Sequence, residues 1–431
     1  MKTLLLRSRL RASASSVLPA LLAVALFVAP TPALAQERAK DFIEPRVSKT
    51  QFGQFAQQIG LMSEQKQIAT TAFSDYESTL KDLADRLDQQ AIAVGRQKVD
   101  DSLSGKARVA PDELQRLRGE MYKVYLKGGP EVDAALDSLV GGVQVLLTDE
   151  QQPKFDAAVR WLHREIMLHP RAGASTYQEY AGDGVDVLAL ADAARGEGGE
   201  LAALPAEALR DILAAYERDL DKVLVETSSA ERQGRLQRKI AGIQKDAEAQ
   251  KREEQAAIKR WQRLYELNKR AVAQIGGAAR GALGANAATA WQQRFDRASF
   301  TWLYPRRRPD REIEWMRQQQ DIPADVMQKA EDIFAQYLQK RDGLSHSAIE
   351  MMLKARLEFQ TFLYAMMDHD SIDERVKGGL YEDLLKNTGE QSHLESTVSS
   401  QLEALLDDQH RQSLREAMKR LDRPMRPPVS R

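Results

Sequence analysis

Six histidines are the side chains of this chain whose charge turns over near neutral pH, and no cysteine stands beside them. His163, His169, His346, His369, His393 and His410 form no HExxH pattern, the spacing that seats a catalytic zinc on one helix face. The densest group of ligand types is Met366-Met367-Asp368-His369-Asp370, with His346, Glu350, Met351 and Met352 upstream. Methionine with histidine suits copper, and histidine with carboxylates suits zinc. His346 and Glu350, four apart, would share a helix face. The methionines read better as the filling of a helical core and residues 368–371 as a turn, so no metal site is assigned. Ser345, Ser347, Ser399 and Ser400 lack GxSxG or SxxK surroundings. No GxxxxGK phosphate loop is present, and Gly276-Gly277-Ala278-Ala279-Arg280-Gly281 reads as a helix breaker. The carboxylates are too numerous for any pair to stand out as acid and base. The reading is therefore non-enzymatic, with no catalytic residue and no cofactor.

The elements available to position side chains are helices. Ala, Leu, Glu, Gln, Lys, Arg and Asp dominate, most of them good helix formers, and no run alternates apolar and polar residues as a strand would. The expected fold class is all-α: long antiparallel helical hairpins in about three tandem units, elongated, with coiled-coil-like packing. Turns are expected at Gly128-Gly129-Pro130, at 196–199, at 276–284 and at 305–309. Thr148-Asp149-Glu150-Gln151 and Ser371-Ile372-Asp373-Glu374 both fit a capping box. The longest element is expected over 229–275. There Leu236, Ile240, Ile243, Ala247, Ala257, Trp261, Leu264, Ala271 and Ile275 repeat at alternating four and three, interrupted by the polar Gln250 and Glu254.

The N-terminus reads as an export signal. Lys2, Arg7, Arg9 and Arg11 precede an apolar run, and Ala33-Leu34-Ala35 places the cut before Gln36. The expected localisation is periplasmic. Losing this leader, with four basic and no acidic residues, takes the formal net charge from −1 to −5. Finely mixed charge of that balance argues against nucleic acid as a partner. Without cysteine, packing alone must hold an exported chain.

The chain also repeats. Leu61 precedes Tyr76, Leu204 precedes Tyr216 and Ile322 precedes Tyr337 at similar spacing, with Phe73, Leu213 and Phe334 each three before the tyrosine. A leucine opens a further helix downstream of each, at Leu147, Leu283 and Leu405. The organisation that follows is a leader 1–35, helical units 36–170, 171–305 and 306–421, and a disordered Pro/Arg tail 422–431. Phe73, Tyr76, Phe334 and Tyr337 are expected in the core.

Leu147-Thr148-Asp149-Glu150-Gln151 is a complete LTxxQ motif, Leu61-Met62-Ser63-Glu64-Gln65 keeps its Leu and Gln, and Leu405-Leu406-Asp407-Asp408-Gln409 is a looser echo. Together these resemble the paired motifs of the periplasmic LTxxQ, or Spy/CpxP-like, family, best over 56–165. The resemblance implies an exported, all-helical protein that binds unfolded or envelope polypeptides without ATP or cofactor, and it allows a homodimer. The candidate residues are Leu61, Gln65, Leu147, Thr148, Gln151, Leu405 and Gln409, first as helix junctions and second as client contacts. Arg306, Arg307 and Arg308 could meet an anionic envelope surface or an acidic client. The alternatives are a structural spacer of the envelope built on the 229–275 rod, and a metal-responsive sensor.

Overall fold

The computed structural model describes residues 38–43, 47–168, 185–359 and 379–421. The leader with its cut before Gln36, the Met366–Asp370 group, the 371–374 capping box and the 422–431 tail lie outside these residues. The described residues are helical, with no strand among them, and fall into two compact bodies that part between Ser299 and Phe300.

The first body opens with a short 3-10 turn, Ala39–Asp41, then α1 (Lys49–Ile59), α2 (Ser63–Ala93), α3 (Arg96–Leu103), α4 (Pro111–Leu126), α5 (Gly129–Gln144) and α6 (Gln152–Met167). Ser48 caps α1 through Gln51, and left-handed Gly60 (φ 76°) ends it. α2 packs on α5, and α1 packs on α6. Phe52 stacks on Phe73 at 4.6 Å and Phe55 meets Phe155 at 6.1 Å, so the core runs through both pairs.

Two short helices and a second hairpin, α8 with α9, complete this body: α7 (Val187–Arg195), α8 (Ala206–Gln244), α9 (Ala247–Leu283) and α10 (Ala285–Ser299). α8 packs on α9, α10 on α9, and α7 on α10. α8 also lies along α4 and α6, where Leu236 and Ile240 join the core of the preceding helices. The second body holds α11 (Arg308–Gln318), α12 (Ala324–Phe359), α13 (Leu380–Leu405) and α14 (Asp408–Leu421). α12 packs on α13, and α11 packs on α14. In the second body, and along α7 to α10 of the first, a short helix leads into a long one, a long return and a short one; along α1 to α6 the return is divided among α3, α4 and α5.

Two expectations are corrected. The element over 229–275 is two helices, because α8 ends at Gln244 and the chain reverses at Lys245 (φ 55°, left-handed). The Lys245 amide bonds Gly242 O at 3.3 Å and the Asp246 amide bonds Ala241 O at 3.0 Å, while the Asp246 carboxylate accepts from Ala249 N to start α9. An interruption at Gln250 and Glu254 is therefore the rim of a hairpin tip. The seam divides between partners: Leu236 and Ile240 go to the first core, and Ala257, Trp261, Leu264, Ala271 and Ile275 are buried along α9. Second, the helix does not break at Gly276–Gly281; α9 continues to Leu283 and stops at Gly284 (φ 94°). Gly276 lies against Trp291, whose Cδ1 would sit 3.6 Å from an added Cβ, so small residues there let α10 approach.

Candidate functional site

The two LxxxQ segments meet. Each glutamine first closes its own helix start: Gln65 Oε1 accepts from Met62 N at 2.8 Å, and Gln151 Oε1 accepts from Thr148 N at 3.0 Å. That is the reach-back half of a capping box, which satisfies an amide with no partner inside the helix. The two amides then exchange bonds. Gln65 Nε2 donates to Gln151 Oε1 at 2.9 Å, and Gln151 Nε2 donates to Gln65 Oε1 at 3.0 Å. Their second donors cross to the opposite chain: Gln65 Nε2 to Leu146 O at 2.6 Å, Gln151 Nε2 to Gly60 O at 2.8 Å. The arrangement is close to two-fold symmetric, and both glutamines are buried. Only a side chain with a paired donor and acceptor can make it, which is why glutamine stands at both positions.

Around this clasp Leu61 is buried and Leu147 half-buried against the core, whereas Thr148 is exposed. The glutamines thus present no polar face to a client. The two loops they join do expose apolar side chains: Met62 at 56% and Val145 at 83%, with Ile68 on the first turns of α2 at 54%. These three went unremarked in the sequence, because an isolated apolar residue beside a motif carries no signal until the loops are brought together.

The C-terminal body has the same junction in other chemistry. Leu405 closes α13 and Gln409 is exposed; the buried leucine is Leu406, one residue later. Leu405–Gln409 is thus out of register with Leu147–Gln151, because α13 ends in an extended residue, Leu406 (ψ 145°), that turns its side chain inward. Asp407 then takes the place of Thr148, and His410 that of Gln151. Asp407 Oδ1 accepts from His410 N at 2.8 Å, and Asp407 Oδ2 lies 2.8 Å from His410 Nδ1. His410 Nε2 lies 3.1 Å from Asp321, which precedes Ile322 as Gly60 precedes Leu61. The hydrogen bond with Asp407, then that with Asp321, holds the His410 pKa above its ordinary value. Backbone and side-chain bonds from His410 hold the Asp407 carboxyl below its own.

The three tyrosines are buried, as are Phe73 and Phe334. Tyr76 OH accepts from Val47 N at 3.1 Å, 29 residues upstream. Tyr216 OH takes the Val187 amide at the same separation and donates to the wholly buried Asn268 at 2.7 Å. Burial first, then the Asp186 charge, pushes the Tyr216 phenol far up. Tyr337 lies under the Arg341 guanidinium at 5.4 Å, and Arg341 reaches Asp310 at 2.9 Å. Burial raises the Tyr337 phenol to about 12, and Asp310 adds to it. Tyr76 and Tyr216 thus bond the entry to the short helix upstream of them, whereas beside Tyr337 it is Arg341 that reaches that entry, at Asp310.

The basic run is committed internally. Arg306 pairs with Glu314, Arg307 with Glu395 at 3.3 Å, and Arg308 with Glu312 at 2.6 Å and Glu403 at 2.9 Å. His346 and Glu350 lie 3.6 Å apart, both exposed. No group of three or more metal-ligating side chains forms among the described residues. His163 bonds Asp221 at 2.7 Å across α6 and α8. No family model, curated protein or solved structure matches the chain.

Proposed function

We propose that this chain is a helical binding protein of the bacterial envelope that holds unfolded polypeptide segments without ATP, built from tandem helical units of which the first and the last are closed by a side-chain clasp. The observation that carries the reading is the exposure of Met62, Ile68 and Val145 on the segments that the Gln65–Gln151 clasp joins. Large apolar groups left in water beside a rigid junction suit transient burial of an apolar client segment, with methionine supplying an adaptable contact. The clasp's part is indirect: it fixes the two loops so that the apolar groups stay exposed. The paired LTxxQ-like motifs and the leader-like N-terminus point the same way. Contact with an anionic surface through Arg306, Arg307 and Arg308 would have to displace their glutamate partners. The spacer alternative loses its principal element, since the 229–275 rod turns back at Lys245.

The test is suppression of aggregation of reduced, denatured α-lactalbumin by the purified chain from Gln36. Near-stoichiometric suppression is expected, and the combined Met62→Ser, Ile68→Ser and Val145→Ser variant should lose most of it while keeping its helical circular dichroism and melting temperature. Equal suppression by the variant would remove these residues from the role, and none by the parent would remove the role itself.

A further inference from the structure

The N-terminal body closes its junction with two neutral amides, whereas the C-terminal body closes the equivalent junction with an imidazole set between two carboxylates. Gln151 can donate and accept at every pH, but a histidine can donate from both nitrogens only when it is protonated. Both nitrogens of His410 face a carboxylate: Nδ1 is hydrogen-bonded to Asp407 at 2.8 Å, and Nε2 lies at ion-pair distance, 3.1 Å, from Asp321. Asp407 starts α14 by accepting from His410 N, and Asp321 lies in the turn between α11 and α12. The pair of contacts therefore ties the first turn of α14 to the α11–α12 turn, as Gln151 ties α6 to Gly60. We propose that His410 makes the C-terminal junction a pH-responsive latch, closed while the imidazole is charged and released when it loses its proton, in a molecule whose N-terminal junction does not respond.

The surrounding charges fit this role. On α14 itself, Asp408 pairs with Arg411, and Arg411 also donates to Leu406 O at 2.7 Å and Glu403 O at 3.1 Å, closing the end of α13. From α13, Glu403 is held by Arg308 and Arg415. From α12, Asp325 pairs with Lys329, and from α11, Arg317 pairs with Glu331. Asp321 and Asp407 are the carboxylates that face the imidazole. A neutral ring must turn a lone pair toward one of them, which converts an attraction into a repulsion. The direction follows from the raised His410 value: the latch contributes in full below the ordinary histidine value and is lost as pH rises through the higher, folded-state value. The lowered Asp407 carboxyl opposes nothing in that window, since it titrates well below it.

The test is amide hydrogen exchange of the chain from Gln36, corrected for intrinsic rates, between pH 5.5 and 9. Protection of α14 should fall about threefold across the histidine transition, and protection of α2, which carries no histidine and whose first turn Gln65 closes, should hold. His410→Gln should remove the pH dependence of α14, and Asp321→Asn should shift its midpoint down. Because either variant could loosen α14 at all pH values, the imidazole resonance of His410 is followed in the parent: a midpoint above the ordinary histidine range is expected. A pH-independent α14, an equal fall in α2, or a His410→Gln protein that keeps the transition would overturn the latch.

Discussion

Gln151→Ala is expected to destabilise the N-terminal body by about 2 kcal/mol, since it leaves the buried Gln65 amide short of partners. Four bonds are lost at once, two of them the reciprocal pair with Gln65. Gly60 O loses its donor, Thr148 N loses its acceptor, and Gln65 loses the amide it exchanges with. Thr148 and Gly60 are both exposed and water can replace their bonds, so the cost falls on the buried Gln65. Gln65 keeps Met62 N and Leu146 O, which bounds the loss. The reciprocal bonds also predict coupling. Gln65→Ala and Gln151→Ala together should cost less than the sum of the two by about 1–2 kcal/mol, as residues sharing one network do. Urea denaturation of the four proteins measures this, read as a midpoint at constant slope. Additive losses would mean that the exchange across the junction carries no energy and that each glutamine serves its own helix end alone.

Trp291→Ala should cost about 4 kcal/mol, the range for emptying a fully buried aromatic site. Trp291 is wholly buried on α10 and donates from Nε1 to Val272 O of α9 at 3.0 Å. The glycine turn of α9 at Gly276 accepts the indole, so no larger side chain stands by to fill the space. Phe295 and Tyr265, ring centroids 6.3 Å apart, complete the contact between these helices and should loosen with it. Trp291→Phe should recover most of the loss, because the ring volume is largely kept and the hydrogen bond alone is worth about 1 kcal/mol. Hydrogen exchange would place the damage in α9 and α10. Loss confined to α1 and α2 would contradict this account of how the second hairpin is held.

The helices, the buried tyrosines and the glutamine positions could be read from the chain before any coordinates. Helical composition and a three-residue Phe–Tyr spacing survive translation into structure because both are local. The pairing of Gln65 with Gln151 is not local, and only their shared LxxxQ setting hinted at it. What was misread has a physical cause in each case. Lys245 adopts a left-handed turn without glycine or proline to announce it, and the surviving signal was the Asp246 side chain ahead of an Ala-Glu-Ala helix start. The glycines from 276 to 281 look like breakers but stay helical, and Gly276 among them lies against Trp291. The third junction was aligned on Leu405 because glutamine was expected to recur. The structure keeps the place and changes the chemistry, putting Leu406, Asp407 and His410 there.

Site-specific photo-crosslinking tests the proposed function most directly. A benzophenone amino acid would be placed in turn at Met62, Ile68, Val145 and Val225, the last similarly exposed at 48% but on α8, away from the clasp. Irradiation with reduced, denatured α-lactalbumin should give strong adducts from 62, 68 and 145 and little from 225. Adducts of equal yield from all four positions, or none from the three around the Gln65–Gln151 clasp, would contradict the claim that this junction displays a polypeptide-binding surface.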